Sequence, residues 1–248
     1  MTDNWKSCLC NVNEKLSSIF VNLSLRSEAP ILSKPWLLWV WVYFQAPRGD
    51  GLSDGREAPT LFKIEDALVA YIGPRCRAIL CGRITTDGRR EFYFYGETRE
   101  GLVPAVHSAL SDFPEYKFDV DYREDEPWEQ YLNVLYPSAQ DLERIKNRDL
   151  LEVLAQHGDV PGAARQVRHW IYFSSDESRA LFRHEASNAG FTVESESYID
   201  GDRPFSISVI RKQSVEQEAI DATVIELLRL AERFDGEYDG WETPVITQ

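Results

Sequence analysis

The order of strand-like and helix-like segments in the C-terminal half is the feature that most constrains the fold. From residue 167 onward, short segments of apolar or alternating side chains flank two longer segments in which apolar side chains recur at helical spacing. The predicted elements are strand 167–173, helix 176–189, strand 192–198, strand 205–211, helix 216–234 and strand 241–246. This β-α-β-β-α-β order is typical of a ferredoxin-like α+β unit.

The N-terminal half repeats this order. Its predicted elements are strand 37–45, helix 60–72, strand 76–85, strand 91–96, helix 99–113 and strand 117–122. Asp87 and Gly88 are placed to turn its middle hairpin, as Asp200 and Gly201 are in the C-terminal half. The predicted fold class is therefore α+β, with two tandem ferredoxin-like (β-α-β-β-α-β) units.

Two further segments of the first unit are predicted from local pattern. Apolar side chains alternate with mainly polar ones over residues 18–25, which predicts an extra N-terminal strand that pairs at an edge of the sheet. The glycine-rich loop 46–59 joins a strand to a helix, and we expect it to be mobile. Its glycines are not followed by Gly-Lys-Ser/Thr, so it does not predict a phosphate loop.

The length of the chain suits two domains of ordinary size. With 248 residues, of which 43% are hydrophobic, it can bury a sizeable core in each half. We predict an α+β domain over residues 1–135, a partly helical connector over 136–162 and a ferredoxin-like domain over 163–248. Pro and Gly within residues 159–162 interrupt regular structure and favour a boundary there.

The charge of the chain argues against direct nucleic-acid binding. It carries 41 acidic and 27 basic side chains, a formal net charge of −14, whereas affinity for a phosphate backbone comes largely from Lys and Arg. From residue 151 onward there are 18 acidic and 9 basic side chains, a net charge of −9. An acidic C-terminal half favours a basic protein partner.

Cysteine usage and hydropathy favour a cytoplasmic protein. Four Cys without a secretory leader predict reduced thiols rather than a disulfide framework. The most apolar run, residues 36–44, is too short to cross a bilayer and is rich in strand-forming residues. We therefore expect a cytoplasmic location and no membrane binding.

The run of residues 237–242 near the C-terminus is the most distinctive short motif. Asp239 and Gly240 predict a turn, flanked by the aromatic side chains of Tyr238 and Trp241. One hypothesis makes Tyr238, Asp239, Gly240, Trp241 and Glu242 a partner-binding surface, with the aromatic side chains as anchors and the carboxylates at the rim. The alternative is that the motif closes the hydrophobic core.

Residues 219–241 as a whole resemble the regulator of ribonuclease activity B family. The resemblance rests on the helix-like run over 220–234 followed directly by Asp235-Gly236-Glu237-Tyr238-Asp239-Gly240-Trp241. It implies a small ferredoxin-like α+β domain that binds ribonuclease E and restrains RNA decay by protein contact. It also implies a protein that catalyses no reaction itself.

Residues 1 to about 135 resemble a second family, bacterial domain of unknown function 695. The similarity lies in Leu-Phe-Lys-Ile-Glu-Asp over residues 61–66 and in Phe-Tyr-Phe-Tyr-Gly over residues 92–96. This resemblance implies no particular activity.

The cysteines give little support for a metal site or another cofactor. Cys8 and Cys10 form a Cys-x-Cys that could bind a soft metal, but no second Cys or His pair lies nearby in the sequence to complete four ligands. Cys76 and Cys81 fall in one predicted strand and are interpreted as small core residues. We predict no metal and no cofactor.

Histidines and carboxylates also fail to form a recognisable catalytic pattern. The four His, at positions 107, 157, 169 and 184, include no metal-spaced pair. The acidic cluster over residues 119–126 lacks the spacing of a calcium loop and is interpreted as a solvated edge that discourages strand pairing. No nucleophile elbow or dinucleotide fingerprint is present, so we predict no catalytic residue and a protein that is not an enzyme.

Three functional hypotheses follow. The first is a non-catalytic regulator that binds a protein partner, such as a ribonuclease with a basic segment, and inhibits or modulates ribonuclease E-type RNA decay. The second gives the N-terminal unit a small-molecule-binding or enzymatic role, built on the aromatic strand 36–44 and the loop 46–59, with a structural C-terminal unit. A deep polar pocket under that loop would favour the second. In the third, both units are structural and the protein is a dimeric scaffold, which sheets joined across a symmetry axis would favour. The sequence leaves the oligomeric state open.

Overall fold

The structure, a computed structural model, describes residues 2–12 and 14–247. It is a mixed α+β protein with one six-stranded and one four-stranded antiparallel sheet. The chain divides into a first compact unit that ends at Pro137 and a second that begins at Ser138.

The first unit contains the predicted ferredoxin-like order with two strands added before it. Its elements are β1 Trp5–Val12, β2 Lys15–Asn22, β3 Trp36–Tyr43, α1 Ala58–Cys76, β4 Ile79–Thr86, β5 Arg89–Gly96, α2 Leu102–Ala109 and β6 Phe118–Glu124. The sheet order is β1-β2-β4-β5-β3-β6, with every neighbouring pair antiparallel. Within this order, the four strands β4-β5-β3-β6 have the ferredoxin-like arrangement. Strands β2 and β1 extend the sheet beyond β4.

The extra strand differs from the prediction in its bounds and in its neighbours. Strand β2 ends at Asn22, because the Asn22 Oδ1 atom accepts hydrogen bonds from the Ser24 backbone N–H (3.1 Å) and the Ser24 hydroxyl (2.7 Å) and starts a 3₁₀ turn over Leu23–Ser27. Strand β1, which the sequence did not predict, pairs with β2 and takes the edge position. It places Cys8 and Cys10, two residues apart, on one face of the sheet.

The predicted hairpin turn is confirmed, and the loop 46–59 is tied to it. Asp87 (φ 47°) and Gly88 (φ 76°) both have positive φ, as a two-residue hairpin turn requires. The Gly88 backbone N–H donates to the Gly51 carbonyl over 2.8 Å. At Gly51 a Cβ atom would lie 3.0 Å from the Asp87 backbone nitrogen, so only glycine fits this close approach without a shift. The loop for which we predicted mobility is thus held against the turn.

Helix α1 is longer than predicted and changes the placement of one cysteine. Cys76 is the last residue of the helix, which Arg77 ends in a left-handed conformation (φ 46°). Cys81 lies in β4. The prediction that Cys76 and Cys81 share a strand is therefore wrong, although both are buried core residues.

The sheet of the first unit is covered on both faces. Alternate side chains of β3, including Leu38 and Val40, are buried in a core with α1 and α2. On the other face a second core forms around Trp128, whose ring stacks on Tyr95 with a centroid distance of 4.0 Å. The Trp128 indole N–H donates to the Lys34 carbonyl over 3.0 Å. Both faces of this sheet are therefore packed by segments of the same unit.

The second unit also has the ferredoxin-like arrangement. Its elements are α3 Ala139–Gln156, β7 Arg165–Phe173, α4 Asp176–Asn188, β8 Thr192–Tyr198, β9 Phe205–Gln213, α5 Gln217–Arg233 and β10 Gly236–Glu242. The sheet order is β10-β7-β9-β8, all antiparallel. Helices α4 and α5 share one core with the sheet, and α3 packs against α5.

Most of the segment 136–162 is the single helix α3. The Ser138 hydroxyl caps it by accepting a hydrogen bond from the Asp141 backbone N–H over 3.2 Å. Leu154 near its end is buried in the core of the second unit. The helical pieces that the sequence predicts in this segment therefore form one continuous helix that belongs to the fold of the second unit.

The last strand begins earlier than predicted. The turn after α5 includes Asp235 (φ 53°), and β10 begins at Gly236, so the chain turns one Asp-Gly pair before the one to which the sequence assigned a turn. Asp239 and Gly240 lie inside β10, where the register with β7 shifts between Tyr238 and Gly240. The predicted turn at Asp239-Gly240 is wrong, because these residues form a β-bulge.

Over residues 2–12 and 14–247, no helix combines the length and the apolar character needed to cross a membrane.

Candidate functional site

Strand β7 separates two chemically different faces of the second sheet. Val167, Ile171 and Phe173 are fully buried in the core with α4 and α5. The intervening side chains, Arg168, Trp170 and Tyr172, point to the opposite face and are only half-buried. We call this second surface the open face. It is the candidate functional site.

Tyr238 of the predicted motif lies on the core side. Its side chain is 6% exposed, and its hydroxyl lies 2.9 Å from Nδ1 of His169, which is fully buried. Burial raises the pKa of Tyr238, with smaller contributions from the Glu143 and Asp239 carboxylates. Burial lowers the pKa of His169 to about 3, assisted by the positive charge of Arg211. In this structure Tyr238 and His169 form a neutral, buried hydrogen-bonded pair.

Trp241 also faces the core side and ties β10 to a helix. It pairs with His169 across the sheet, and its indole N–H donates to Oδ1 of Asn147 on α3 over 2.8 Å. Asn147 is buried and donates to Oδ1 of Asp221 on α5 over 2.7 Å. Trp241 therefore helps to hold α3 and α5 in place beside the last strand.

The remaining three motif residues are more accessible. Asp239 is exposed at the bulge, and Gly240 (φ 145°) has a conformation that L side chains rarely adopt. Glu242 forms an ion pair with Arg168 on the open face. The structure thus divides the predicted site: Tyr238 and Trp241 serve the core, whereas Gly240 and Glu242 border the open face.

Sequence reasoning did not select the residues at the centre of the open face. Arg168, Trp170 and Tyr172 occupy every second position of β7. The sequence did contain one signal for this face. On the side of a strand that faces solvent, polar side chains are usual, so two large aromatic side chains on the same side as an arginine indicate a contact surface.

Ion pairs organise one end of the open face. Arg168 lies between Glu194 of β8 and Glu242 of β10 and forms ion pairs with both. Hydrogen bonding from Arg168 lowers the pKa of Glu194, and hydrogen bonding to Glu194 and Glu242 raises the pKa of Arg168. A cavity of about 330 Å³ lies here, lined by these three side chains and Ile210, among others.

The other end of the open face carries a larger, acidic cavity. Its volume is about 600 Å³, and Tyr172 contributes to its wall. Three carboxylates, from Asp200, Asp202 and Glu237, line it together with one guanidinium group, that of Arg203. Arg203 lies 3.4 Å from Glu237, so the two other carboxylates leave an excess of negative charge in this cavity.

The first unit offers weaker support for a ligand site under the loop 46–59. A cavity of about 420 Å³ is lined by residues of this loop and of the β4–β5 turn. Its charged groups are paired, since Lys15 lies 2.5 Å from Asp87 and Arg48 lies 2.5 Å from Asp50. The lining therefore has little charge left to select a ligand.

The acidic cluster at the end of the first sheet has two separate roles. Asp119, Asp121 and Glu124 are exposed on β6, an edge strand, as the interpretation of a solvated edge requires. Asp125 is buried, accepts a hydrogen bond from the Tyr95 hydroxyl, and accepts two more from the backbone N–H groups of Glu129 and Gln130. Among the residues that the structure describes, no group of His, Cys, Asp and Glu side chains is arranged to hold a metal ion.

Comparison with known proteins adds evidence on both units. The model of the regulator of ribonuclease activity B family matches residues 144–243, and the model of a family of unknown function, DUF695, matches residues 3–136.

Three relatives of the second unit carry the name regulator of ribonuclease activity B. The Escherichia coli (strain K12) protein is 31% identical over 112 residues, which cover 43% of this chain and 80% of the relative. The Salmonella typhi protein is 30% identical over 110 residues, with the same two coverages. The Haemophilus influenzae protein is 33% identical over 103 residues, which cover 40% of this chain and 67% of the relative.

Proposed function

We propose that this chain, which belongs to the regulator of ribonuclease activity B family in its second unit and to the DUF695 family in its first, is a non-catalytic cytoplasmic regulator of a ribonuclease. It modulates ribonuclease E-type RNA decay by binding the enzyme, not the RNA. The second unit provides the contact.

The observation that carries this proposal is the charge of the second unit on a ferredoxin-like scaffold. From residue 151 onward there are 18 acidic and 9 basic side chains. Such a surface repels RNA phosphates and attracts a basic protein segment. Enzymes that bind RNA carry basic segments for the same electrostatic reason, so an acidic regulator can dock on them directly.

Residues 238–242 take two parts in this function. Tyr238 and Trp241 position the last strand through His169 and Asn147. Asp239 and Glu242 remain accessible for contact with basic groups of the partner. An anchor role for Tyr238 would require it to leave the core, because its side chain is 6% exposed.

The test uses the full chain and a purified ribonuclease E-type enzyme. Immobilised chain should capture the enzyme at low salt, and added chain should slow or redirect cleavage of an RNA substrate. Both effects should weaken as the salt concentration rises from about 50 mM to about 300 mM, because the Debye length shortens.

Heat-unfolded chain is the matched control, since it keeps the charge and loses the surface. Capture by the unfolded chain would show charge attraction alone. Absence of capture by the folded chain at low salt would overturn the proposed function. It would also direct attention to the first unit.

A further inference from the structure

We infer that the open face of the second sheet is the docking surface for the partner, and that it takes arginine side chains of a basic protein segment over Trp170 and Tyr172. This inference rests on the proposed function and names the surface that would carry it.

Both aromatic rings of the open face are partly exposed. Trp170 pairs with the small residues Ser208 and Gly240, whereas Tyr172 pairs with Ser206 on one side and with Glu237 on the other. A Cβ atom at Gly240 would meet nothing within 4 Å, so there is open space beside the indole of Trp170. Because serine and glycine do not rise to the height of the rings, a partner side chain can stack on the exposed part of each ring.

The hydroxyl groups of this floor are already satisfied. Ser208 lies 2.8 Å from Ser195, and Ser206 lies 2.6 Å from Ser197, oxygen to oxygen, across the β8–β9 pair. A partner therefore does not need to supply hydrogen bonds to these serines. Ser208 is 0% and Ser206 2% exposed, so a partner on the aromatic rings removes no further water from these hydroxyl groups.

Two bulges shape the open face at the level of Trp170. The register shifts between Val193 and Ser195 in β8 and between Tyr238 and Gly240 in β10. The first bulge brings Glu194 next to Ser195 on the open side, where it reaches Arg168. Because bulges increase local twist and redirect side chains, both edge strands are shaped around the central aromatic strand.

The charge of the open face favours a basic protein segment as the partner. The open face and the cavity at its end carry five carboxylates against three basic groups. The carboxylates belong to Glu194, Asp200, Asp202, Glu237 and Glu242, and the basic groups to Arg168, Arg203 and Lys212, which pairs with Gln166 in the same phase of the sheet. This excess of negative charge opposes an RNA strand, although the aromatic rings alone would suit stacked bases.

Arg168 shows how the open face holds a guanidinium group. Its Cζ atom lies 5.9 Å from the centroid of the Trp170 ring, while Glu194 and Glu242 bind its nitrogen atoms. A partner arginine over Tyr172 would find the same combination, with the carboxylates of Asp200 and Asp202 in the adjacent cavity. Arginine suits this site better than lysine, because its planar guanidinium group stacks on rings and pairs with carboxylates.

The experiment uses a labelled peptide of about 12 residues in which arginine alternates with glycine, titrated with the full chain while fluorescence anisotropy is measured. We expect Trp170→Ala and Tyr172→Ala each to weaken binding by roughly fivefold. Trp170→Phe should restore most of the affinity, because it keeps a ring. A lysine–glycine peptide of equal charge should bind less tightly than the arginine peptide.

Tyr198→Ala is the matched control. Tyr198 is 65% exposed and packs against Phe205 outside the open face, so its loss should leave peptide binding unchanged. Equal weakening by this control would overturn the inference in favour of diffuse charge attraction. Tighter binding of an oligouridine than of the peptide, lost in Trp170→Ala, would overturn it in favour of RNA.

Capture of the ribonuclease E-type enzyme by the same variants separates this inference from the proposed function. Loss of capture in folded Trp170→Ala and Tyr172→Ala supports both. Full capture by these variants overturns the docking surface and leaves the proposed function intact. No capture by the unaltered chain, combined with Trp170-dependent peptide binding, overturns the proposed function and supports the arginine-binding face alone.

Discussion

The two units have the same strand order but treat the second face of the sheet differently. In the first unit, segments around the 3₁₀ turn and Trp128 form a second core on that face. In the second unit, the equivalent face carries half-buried Trp170 and Tyr172 over serines and glycine. One fold therefore provides a closed sheet in one case and an accessible sheet in the other, which is why we place function on the second.

The closing segment of the first unit is held by specific contacts. Trp128 has a positive φ of 58°, a costly conformation for a bulky residue. It is kept there by stacking on Tyr95, by its hydrogen bond to Lys34, and by the hydrogen bond from its backbone N–H to the Asp125 carbonyl (3.0 Å). Packing outweighs the local backbone preference at this point.

The largest expected effect is a loss of stability when the second core of the first unit is disrupted. Trp128→Ala removes a fully buried indole, and we expect it to lower the free energy of unfolding of the first unit by about 3–5 kcal/mol. Hydrogen–deuterium exchange of peptides from β4 and β5 in the full chain measures this loss. Unchanged exchange there would contradict the second core, and peptides from β7 and β9 serve as the internal control.

The second expected effect probes the buried face of the second sheet through pH. The pKa of His169 is lowered from 6.5 to about 3, so the folded state keeps it neutral while the unfolded chain takes up a proton below about pH 6.5. Stability is therefore complete above that pH and falls as pH drops towards 3. At pH 5 the loss amounts to about 2 kcal/mol.

Urea unfolding of the full chain at pH 7 and pH 5, compared with that of His169→Asn, isolates this contribution. Other groups titrate in both proteins and cancel in the difference. Equal pH dependence in the two proteins would show that His169 is not held neutral in the folded state.

A smaller effect concerns the contact of Trp241 with Asn147. Trp241→Phe keeps a ring but leaves Oδ1 of the buried Asn147 without its donor, and we expect a loss of about 1–2 kcal/mol in the second unit. In an Asn147→Leu background the same substitution should cost less, because no acceptor is left unpaired. If Trp241→Phe lowers the free energy of unfolding equally in the two backgrounds, as measured by urea unfolding, the hydrogen bond to Asn147 does not contribute to stability.

A comparably small effect is expected on the open face. Trp170→Ala should lower the stability of the second unit by about 1–2 kcal/mol, less than Trp128→Ala costs in the first, because the Trp170 side chain is partly exposed. Set against Trp128→Ala, it compares two tryptophans on corresponding faces of the two sheets. A loss as large as that of Trp128→Ala, measured by exchange of β7 and β9 peptides, would show that the open face is part of the core.

The sequence predicted the order of the elements well and their limits less well. Helical periodicity placed α4 and α5 within a few residues, and Asp87-Gly88 identified the hairpin between β4 and β5. Strand β1 was missed, because it pairs only with β2 and lacks a strongly alternating apolar pattern.

The two Asp-Gly pairs at 235–236 and 239–240 show where local reasoning ended. Both have turn propensity, but the chain turns only at the first pair, where Asp235 lies in the turn after α5 and Gly236 begins β10. The second lies in the pairing register between β10 and β7, which a local motif does not encode. The candidate site in the structure differs from the one predicted at residues 238–242 for the same reason, because the side chains around Trp170 come from four strands.

Periodicity, turn residues and charge, all local or summed properties, determined by themselves that the chain forms two ferredoxin-like units and that its C-terminal half is acidic. Only the tertiary structure decided which aromatic side chains are core and which are surface. That distinction depends on strand register and on which face the helices cover. Tyr238 and Trp241 were therefore assigned to the core, and Trp170 and Tyr172 to the open face, by contacts between residues far apart in the chain.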